Sequence, residues 1–240
     1  MRALAVIPTY NEAENIEPLV QRILAQGPDV EVVIVDDGSP DRTGEIADRL
    51  AADSDRVHVI HRNGPRGRGV AGRDGFLWAV QRGDVDCVIE MDGDLSHDPD
   101  YIPQMVEALE HADVVIGSRY IPGGGNVKRK WYRVLTSELA AIYTRLVLGV
   151  WGIGDPNSGY RCFRREVLAG IDLETLQSRG PSIVSEVLAR CRGYRIREIP
   201  IVFVDRVGGR SKLHPGTLLT TLALVALWRW QQLWRRPKKP

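Results

Sequence analysis

Three short clusters of polar residues carry the carboxylates and hydroxyls from which a binding site could be built. They are Pro8-Thr9-Tyr10-Asn11-Glu12, Asp36-Asp37-Gly38-Ser39 and Asp92-Gly93-Asp94. Each follows a short apolar run, and aspartate and glycine after a strand often form no more than a turn. In an open parallel sheet, however, ligands bind beyond the carboxyl ends of the strands. We therefore expect the three clusters to meet in one pocket, although Asp36 alone is expected to cap a turn.

The spacing of Asp92 and Asp94 predicts a metal site. Two carboxylates one residue apart repel each other unless a cation lies near them. Hard oxygen ligands suit Mg²⁺ or Mn²⁺, which bind one or two carboxylates together with substrate phosphates. No cluster of histidine or cysteine indicates zinc. His97 lies close by, and we expect it to be solvated or hydrogen-bonded rather than a metal ligand.

The elements that position these clusters follow from the hydrophobic pattern. Apolar runs rich in valine and isoleucine occur at residues 3–7, 30–35, 57–60, 85–91 and 113–116. Helical patterns lie between them, near residues 14–26, 42–53, 70–82 and 100–111. This alternation predicts an α/β fold with a buried, mostly parallel sheet of βαβ units and flanking helices.

The pattern changes after Tyr120. Residues 121–130 are rich in glycine and basic side chains, which predicts an irregular loop, either over a substrate or simply on the surface. The remaining predicted elements are a helix at 131–148, a turn at Asp155, Asn157 and Ser158, a strand at 160–163, a helix at 182–192, a strand at 195–204 and a helix at 217–234. No linker separates them, so we expect one catalytic domain at 1–214 and a C-terminal segment at 215–240.

Composition limits the class of protein. The chain has 240 residues, 43% hydrophobic and 26% charged, which excludes a disordered chain, collagen and a disulfide-stapled mini-protein. The formal net charge of +1 excludes general nucleic-acid affinity, but two acid-free basic stretches, 119–137 and 229–240, indicate specific anionic partners. Three widely spaced cysteines predict reduced cytosolic thiols. The N-terminal residues predict neither a signal peptide nor a membrane anchor.

The C-terminal segment combines an apolar run with tryptophans and basic residues. Residues 217–228 are apolar but well short of the ~20 residues needed to span a bilayer. Trp228, Trp230 and Trp234 follow, and then Arg235, Arg236, Lys238 and Lys239. This pattern predicts an amphipathic helix that attaches the protein to the cytoplasmic face of an anionic membrane. The alternative is a helix packed on the sheet with a solvated tail.

Six segments, taken in order, resemble the successive motifs of dolichyl-phosphate (polyprenyl-phosphate) mannosyltransferases in glycosyltransferase family 2. They are VIPTYNEAENI, VDDGSPDRT, EMDGDLSHDP, GSRYIPGG, NSGYRCF and DRVGGRSKL. The first two are shared by many family 2 enzymes, whereas DGDLSHDP together with DRVGGRSKL is more specific to the polyprenyl-phosphate branch. The resemblance implies a Rossmann-like GT-A fold. It also implies an inverting, metal-dependent transfer of mannose from GDP-mannose to polyprenyl (dolichyl-type) phosphate.

The resemblance also implies a role for individual residues. The donor base and ribose would be held by Pro8, Tyr10, Glu12, Val35 and Asp37. Asp92 and Asp94 would bind the metal ion, with Gly93 in the same turn. Donor or acceptor phosphates would be held by Arg119, Arg206 and Lys212. Arg133 and Ser137, one helical turn apart, would grip the lipid phosphate.

The chemistry that the resemblance implies needs no general base. A phosphate monoester has a second pKa of about 6, so the acceptor is already ionised at neutral pH. Asp94, Arg119 and Arg133 would then carry catalysis by binding the metal ion and positioning the acceptor anion. An α-linked donor would give a β-linked product.

Three alternatives remain open at the level of sequence. The donor could be UDP-glucose or a UDP-amino sugar, or the chain could bind a nucleotide sugar without turnover. A dinucleotide oxidoreductase is disfavoured because no GxGxxG follows the first strand. The chain also departs from related enzymes, which have a lysine and a Gly-Leu-Gly-like stretch where Pro65–Ala71 stands here. Arg66 and Arg68 in this stretch could serve phosphates.

Overall fold

The valine- and isoleucine-rich runs form strands in the computed structural model, which describes residues 1–127, 130–204, 224–227 and 230. In chain order the strands are β1 (Ala3–Thr9), β2 (Val30–Asp36), β3 (Val57–His61), β4 (Cys87–Glu90), β5 (Val114–Ser118), β6 (Gly125–Val127), β7 (Arg161–Arg164), β8 (Ile196–Pro200) and β9 (Val202–Val204). The five runs predicted in the first half of the chain therefore all form strands.

Helices connect the strands as the sequence predicts. They are α1 (Ile16–Leu24), α2 (Thr43–Asp53), α3 (Arg68–Gln81), α4 (Ile102–Ala108), α5 (Trp131–Leu148), α6 (Arg165–Gly170) and α7 (Ile183–Arg190). A 3-10 turn, Pro99–Tyr101, leads into α4, and the Asp98 carboxylate caps it by accepting from the Asp100 N–H at 3.0 Å. The short helix α6 was not predicted, because six residues carry too little periodicity to be recognised.

The central sheet is mixed. Within the described residues its strand order is β3-β2-β1-β4-β7-β5-β8. Every neighbouring pair is parallel except those that involve β7, which runs antiparallel to both β4 and β5. The sequence predicts this strand but not its direction. Because β7 is reversed, its amino end lies at the edge where β1, β2, β4 and β5 end.

Both faces of the sheet are covered, so its strands read as continuous apolar runs. Ala3, Ala5 and Ile7 of β1 pack on one face with α1, α2 and α4. Leu4 and Val6 point to the other face, against α3, α6 and α7. The strands are thereby held rigidly between two helical layers.

The second half of the chain corrects two predictions. Residues 121–130 were predicted to be irregular, but Gly125–Val127 form β6, which pairs in parallel with β9. The single strand predicted at 195–204 is divided at Ile201 into β8 and β9. The physical reason is that Ile201 donates its N–H to Ser118 of the central sheet and accepts from the Gly125 N–H, at 3.0 Å each, so the chain changes sheet there.

The predicted C-terminal helix, 217–234, lies mostly outside the described residues. Of this segment, residues 224–227 and 230 are described, and they are helical. Val225 is buried against Leu148 of α5 and Ala189 of α7. Across the described parts of the chain, no helix has both the length and the apolar content needed to cross a bilayer.

Helix α3 approaches the sheet so closely that a side chain at Gly75 has no room. A Cβ there would lie 2.4 Å from Val6 Cγ1 and 3.0 Å from Val35 Cγ2. We predict that Gly75→Ala lowers the free energy of unfolding by about 1–3 kcal/mol, because overpacking pushes α3 off the sheet. Urea denaturation measures the change.

Gly83 provides the matched control, since a Cβ there meets nothing within 4 Å. Gly83→Ala should change the free energy of unfolding by less than about 0.5 kcal/mol. Equal effects of the two substitutions would contradict the close packing of α3.

Candidate active site

The polar clusters meet at the carboxyl edge of the sheet. Thr9 and Asp37 are joined across β1 and β2 by a hydrogen bond from the Asp37 N–H to the Thr9 carbonyl at 3.0 Å. A Cβ on Gly93 would lie 3.0 Å from Thr9 Cγ2 and 3.5 Å from Glu12 Cγ, so the third cluster touches the first. The predicted convergence of the three clusters is therefore present in the structure.

Asp36 and Asp37 have different hydrogen-bond partners, and Asp36 caps a turn as the sequence predicts. Asp36 caps the turn after β2, since its Oδ1 accepts from the Ser39 hydroxyl at 2.5 Å. Asp37 is buried, and its Oδ2 accepts from the Gly67 N–H at 2.6 Å. Its Oδ1 accepts from Arg62, whose Nε also donates to Asp74 at 2.7 Å. Asp37 is thus a fixed carboxylate with a built-in counter-charge.

Pro8, Tyr10, Glu12 and Val35 lie at or just beyond the ends of β1 and β2. Pro8 and Val35 are register partners in β1 and β2. The Tyr10 hydroxyl accepts from Arg66 at 2.8 Å, and the same guanidinium lies 4.9 Å from the centre of the Tyr10 ring. Glu12 accepts from the Asn15 side chain at 2.9 Å, and its N–H donates to the Thr43 hydroxyl.

The turn after β4 presents Asp92 and Asp94 at the same edge. Asp94 is buried, and its Oδ1 accepts from the Ser96 N–H at 3.1 Å and the Ser96 hydroxyl at 2.6 Å. Asp92 is more open, with 31% of its side chain exposed. Leu95, which directly follows Asp94, has φ of 61°, a strained conformation of the kind that clusters at functional sites.

The two aspartates fit a divalent ion that arrives with further ligands. Among the residues described, no group of three or more histidines, cysteines or acids could hold a metal ion by itself. Two carboxylates are what Mg²⁺ needs when substrate phosphates and water complete its shell. The donor set therefore agrees with the predicted Mg²⁺ or Mn²⁺ site.

The sequence does not predict that Arg68 links Glu90 to the acid pair. Arg68 donates from Nε to Asp92 Oδ1 at 2.9 Å and from Nη1 to Glu90 Oε1 at 3.0 Å. Burial lowers the pKa of Arg68, but the charges of Asp92 and Glu90 outweigh it, so the net shift is upward. Glu90 could have indicated this link, because a carboxylate inside an apolar strand requires a buried partner.

His97 is buried in the segment that follows β4. Its Nδ1 accepts from the Asp92 N–H at 3.0 Å, and its ring stacks on Tyr160 with 5.0 Å between centroids. Burial lowers the pKa of His97 by more than the neighbouring Asp92 and Asp94 raise it. His97 therefore supports the turn through a hydrogen bond, in agreement with the sequence-based expectation.

Arg119 follows β5 and is held by Asp155, which precedes β7. Its Nε and Nη2 donate to the two oxygens of Asp155 at 2.7 and 2.9 Å. Asp155 is fully buried, and Glu198 fixes its backbone by accepting from the N–H groups of Gly154 and Asp155. The predicted turn at 155–158 is present, but the Asp155 carboxylate serves Arg119.

Arg133 and Ser137 lie one turn apart on α5, as predicted. At 100° per residue they fall on the side of α5 that carries its buried residues, Ala141, Thr144 and Leu148. The Thr144 hydroxyl donates to Asn157 at 3.1 Å, which links this side of the helix to the turn before β7. Arg206 and Lys212 lie outside the described residues.

Comparison with known proteins shows which family the chain resembles. Residues 4–171 match the family described as Glycosyl transferase family 2. The chain is 43% identical to polyprenol monophosphomannose synthase of Mycolicibacterium smegmatis, over 95% of this chain and 86% of that protein. It is 40% identical to undecaprenyl-phosphate mannosyltransferase of Micrococcus luteus, over 97% of this chain and 98% of that protein.

A solved structure supports the fold. It is glucosyl-3-phosphoglycerate synthase from Mycobacterium tuberculosis, in complex with Mn²⁺, UDP and glucosyl-3-phosphoglycerate, with a TM-score of 0.65. The similarity covers 98% of this chain and 81% of that one at 19% identity. The predicted mostly parallel α/β sheet and GT-A fold are confirmed.

The Arg119–Asp155 pair generates a stability prediction. Asp155→Ala leaves the Arg119 guanidinium buried without its counter-charge, and loss of one partner of a buried pair costs about 3–5 kcal/mol. We expect a drop of that order in the free energy of unfolding, measured in urea. Glu17→Ala, which breaks the exposed pair with Arg49, is the control and should cost less than about 1 kcal/mol.

Proposed function

Because the chain belongs to glycosyltransferase family 2, it is a glycosyltransferase, and we propose that it transfers mannose from GDP-mannose to polyprenyl phosphate. The products would be GDP and polyprenyl phosphate mannose. The names of the two relatives at 40–43% identity support this sugar and this acceptor class. The observation that carries the proposal is the Asp92 and Asp94 pair, which lies at the same sheet edge as the buried Asp37.

On the donor side, Asp37 is proposed to recognise the base. A carboxylate has about four acceptor positions, and Arg62 and Gly67 occupy two of them. The remaining lone pairs can accept from a base N–H, while Arg62 prevents the carboxylate from turning. Pro8, Tyr10, Glu12 and Val35 line the same edge and are proposed to complete the base and ribose site.

Asp92 and Asp94 are proposed to hold Mg²⁺ or Mn²⁺, with Gly93 giving the turn between them its close approach to Thr9. The bound ion would offset charge on the departing diphosphate. The structural neighbour that binds Mn²⁺ with UDP supports a divalent cation for this fold. Arg206 and Lys212, outside the described residues, are proposed to assist at the diphosphate.

On the acceptor side, this chain's residues need to position an anion rather than remove a proton. The lipid phosphate is already ionised near neutral pH. Arg133 and Ser137 are proposed to bind it from the protein-facing side of α5, and Arg119 supplies a fixed positive charge at the end of β5. Direct attack by the phosphate oxygen would invert the sugar from an α to a β linkage.

The opposite side of α5 supports a membrane-bound acceptor. Large apolar side chains lie exposed along it, at Trp131, Leu135, Leu139, Ile142 and Leu146. At 100° per residue these five fall within one stripe. An exposed apolar stripe of this size marks a protein or membrane contact. We propose peripheral attachment to the cytoplasmic face through this stripe together with the C-terminal segment, 215–240.

The reaction is tested with the full chain, undecaprenyl phosphate, and radiolabelled GDP-mannose or UDP-glucose in parallel. We expect mannose transfer that EDTA abolishes and that Mg²⁺ or Mn²⁺ restores. Asp94→Asn should reduce turnover at least about 100-fold, because the metal site loses one of its two carboxylates. Transfer from UDP-glucose alone would overturn the donor assignment.

A remote acid gives the control for Asp94→Asn. Asp53 is exposed at the end of α2, and Asp53→Asn removes the same charge far from the site. Turnover of this variant should equal that of the wild type. Normal turnover of Asp94→Asn would show that the metal site was wrongly assigned.

Attachment through α5 is tested by co-sedimentation with vesicles of phosphatidylcholine and phosphatidylglycerol. We predict that Leu139→Asp weakens binding about tenfold or more, since it removes an exposed leucine that the lipid would bury and adds a charge. Ala52→Asp, on the exposed side of α2, adds the same charge elsewhere and should bind like the wild type. Equal binding of both variants would exclude α5 from the lipid contact.

A further inference from the structure

Arg68 contacts the acid pair from the start of α3. Its Nε and Nη2 lie 2.9 and 2.8 Å from the same oxygen, Asp92 Oδ1, and its Nη1 lies 3.0 Å from Glu90 Oε1. Arg66, two residues earlier, contacts Tyr10 and the Gly38 carbonyl instead. The two arginines carry the same charge but serve different parts of the edge.

The backbone around Arg68 is fixed by close packing. A Cβ on Gly67 would lie 2.1 Å from the Arg179 carbonyl oxygen, and one on Gly69 would lie 2.3 Å from the Ser178 carbonyl oxygen. The Gly69 N–H also donates to the Arg179 carbonyl at 2.9 Å. The Arg68 side chain therefore extends from a rigid backbone at the start of α3, and only this side chain can move when a ligand binds.

Glu90 anchors that side chain at the inner end of the site. It is fully buried, and within the described structure its Oε2 has no hydrogen-bond partner. Arg161, its register partner on β7, donates to three backbone carbonyls. Arg68 is thus the side chain that hydrogen-bonds the Glu90 carboxylate. Because breaking this bond would leave a buried carboxylate unpaired, we expect Arg68 to keep it when its other contacts change.

Asp92 differs from Glu90, because it is partly open to solvent and is one of the two proposed metal ligands. A guanidinium on its Oδ1 occupies lone pairs that a metal ion would use, and its charge repels a second cation. A diphosphate removes this conflict, because guanidinium binds phosphate oxygens at least as well as it binds a carboxylate.

We propose that Arg68 is a positioning residue that couples the metal ion to the nucleoside diphosphate. Without ligands it holds Asp92. When both ligands bind, it keeps its bond to Glu90 and turns its Nε edge from Asp92 to a phosphate oxygen. The inference rests on the proposed function, since it requires a diphosphate and a divalent cation at this edge.

The consequence is measurable without turnover. In the wild type, GDP should tighten Mn²⁺ binding strongly, and by linkage Mn²⁺ should tighten GDP binding by the same factor. Arg68→Leu removes the guanidinium from Asp92 Oδ1, so this variant should bind Mn²⁺ alone about tenfold more tightly than the wild type. The same variant should bind GDP more weakly, so the coupling factor falls.

Free Mn²⁺ is measured by electron paramagnetic resonance, and GDP binding by calorimetry with and without Mn²⁺. Arg66→Leu is the matched control, because it removes an equal charge from the same loop without touching Asp92. Its affinity for Mn²⁺ alone should stay within about twofold of the wild type, since an exposed charge is screened. Arg68→Leu that behaves like Arg66→Leu would overturn the proposal.

Two further comparisons keep the test decisive. If Arg68→Leu fails to fold because Glu90 is left unpaired, Glu90→Gln and the double variant Arg68→Leu/Glu90→Gln replace it. The double variant should bind Mn²⁺ alone more tightly than Glu90→Gln, and equal affinity would overturn the proposal. A wild type that binds no Mn²⁺ with either GDP or UDP present would instead contradict the proposed function.

Discussion

A carboxylate buried at the edge of a sheet must be neutralised, and this requirement organises the whole site. An uncompensated buried charge costs several kcal/mol, and a paired arginine avoids this cost for three of the acids at the edge. Three such pairs are Asp37 with Arg62, Glu90 with Arg68, and Asp155 with Arg119. The arginines come from the loop after β3, the start of α3 and the end of β5, so the pairs also tie separate segments together.

The two acids of the turn after β4 are held in a different way. Arg68 is shared between Glu90 and Asp92, and Asp94 is held by the neutral Ser96. Asp92 thus shares its arginine with Glu90, so a second cation at this turn would compete with Arg68 for Asp92. A cation that brings its own anionic ligands suits the turn best, because Arg68 then gains a phosphate oxygen as a partner. The proposed metal–diphosphate complex has this property.

The sequence predicts the strands, most helices and the meeting of the polar clusters, because these depend on local periodicity and on one rule about parallel sheets. It does not predict the direction of β7, since a short buried strand looks the same in either direction. Nor does it predict which arginine neutralises which acid. Arg68 and Asp92 are brought together by the packing of Gly67 and Gly69 on residues 178–180, a contact with no local signature.

Helix α5 carries Arg133 and Ser137 on one side and the exposed apolar stripe on the other. Its two sides are separated by one helix, a diameter of about 10–12 Å with side chains. The headgroup layer of one leaflet is thinner than this, roughly 5–8 Å. In the proposed complex, a lipid phosphate bound by Arg133 and Ser137 would therefore leave the headgroup layer while Leu135 and Leu139 lie in the acyl boundary. The phosphate would lose water on leaving that layer, and fixed positive charge on the protein side of α5 would compensate for that loss.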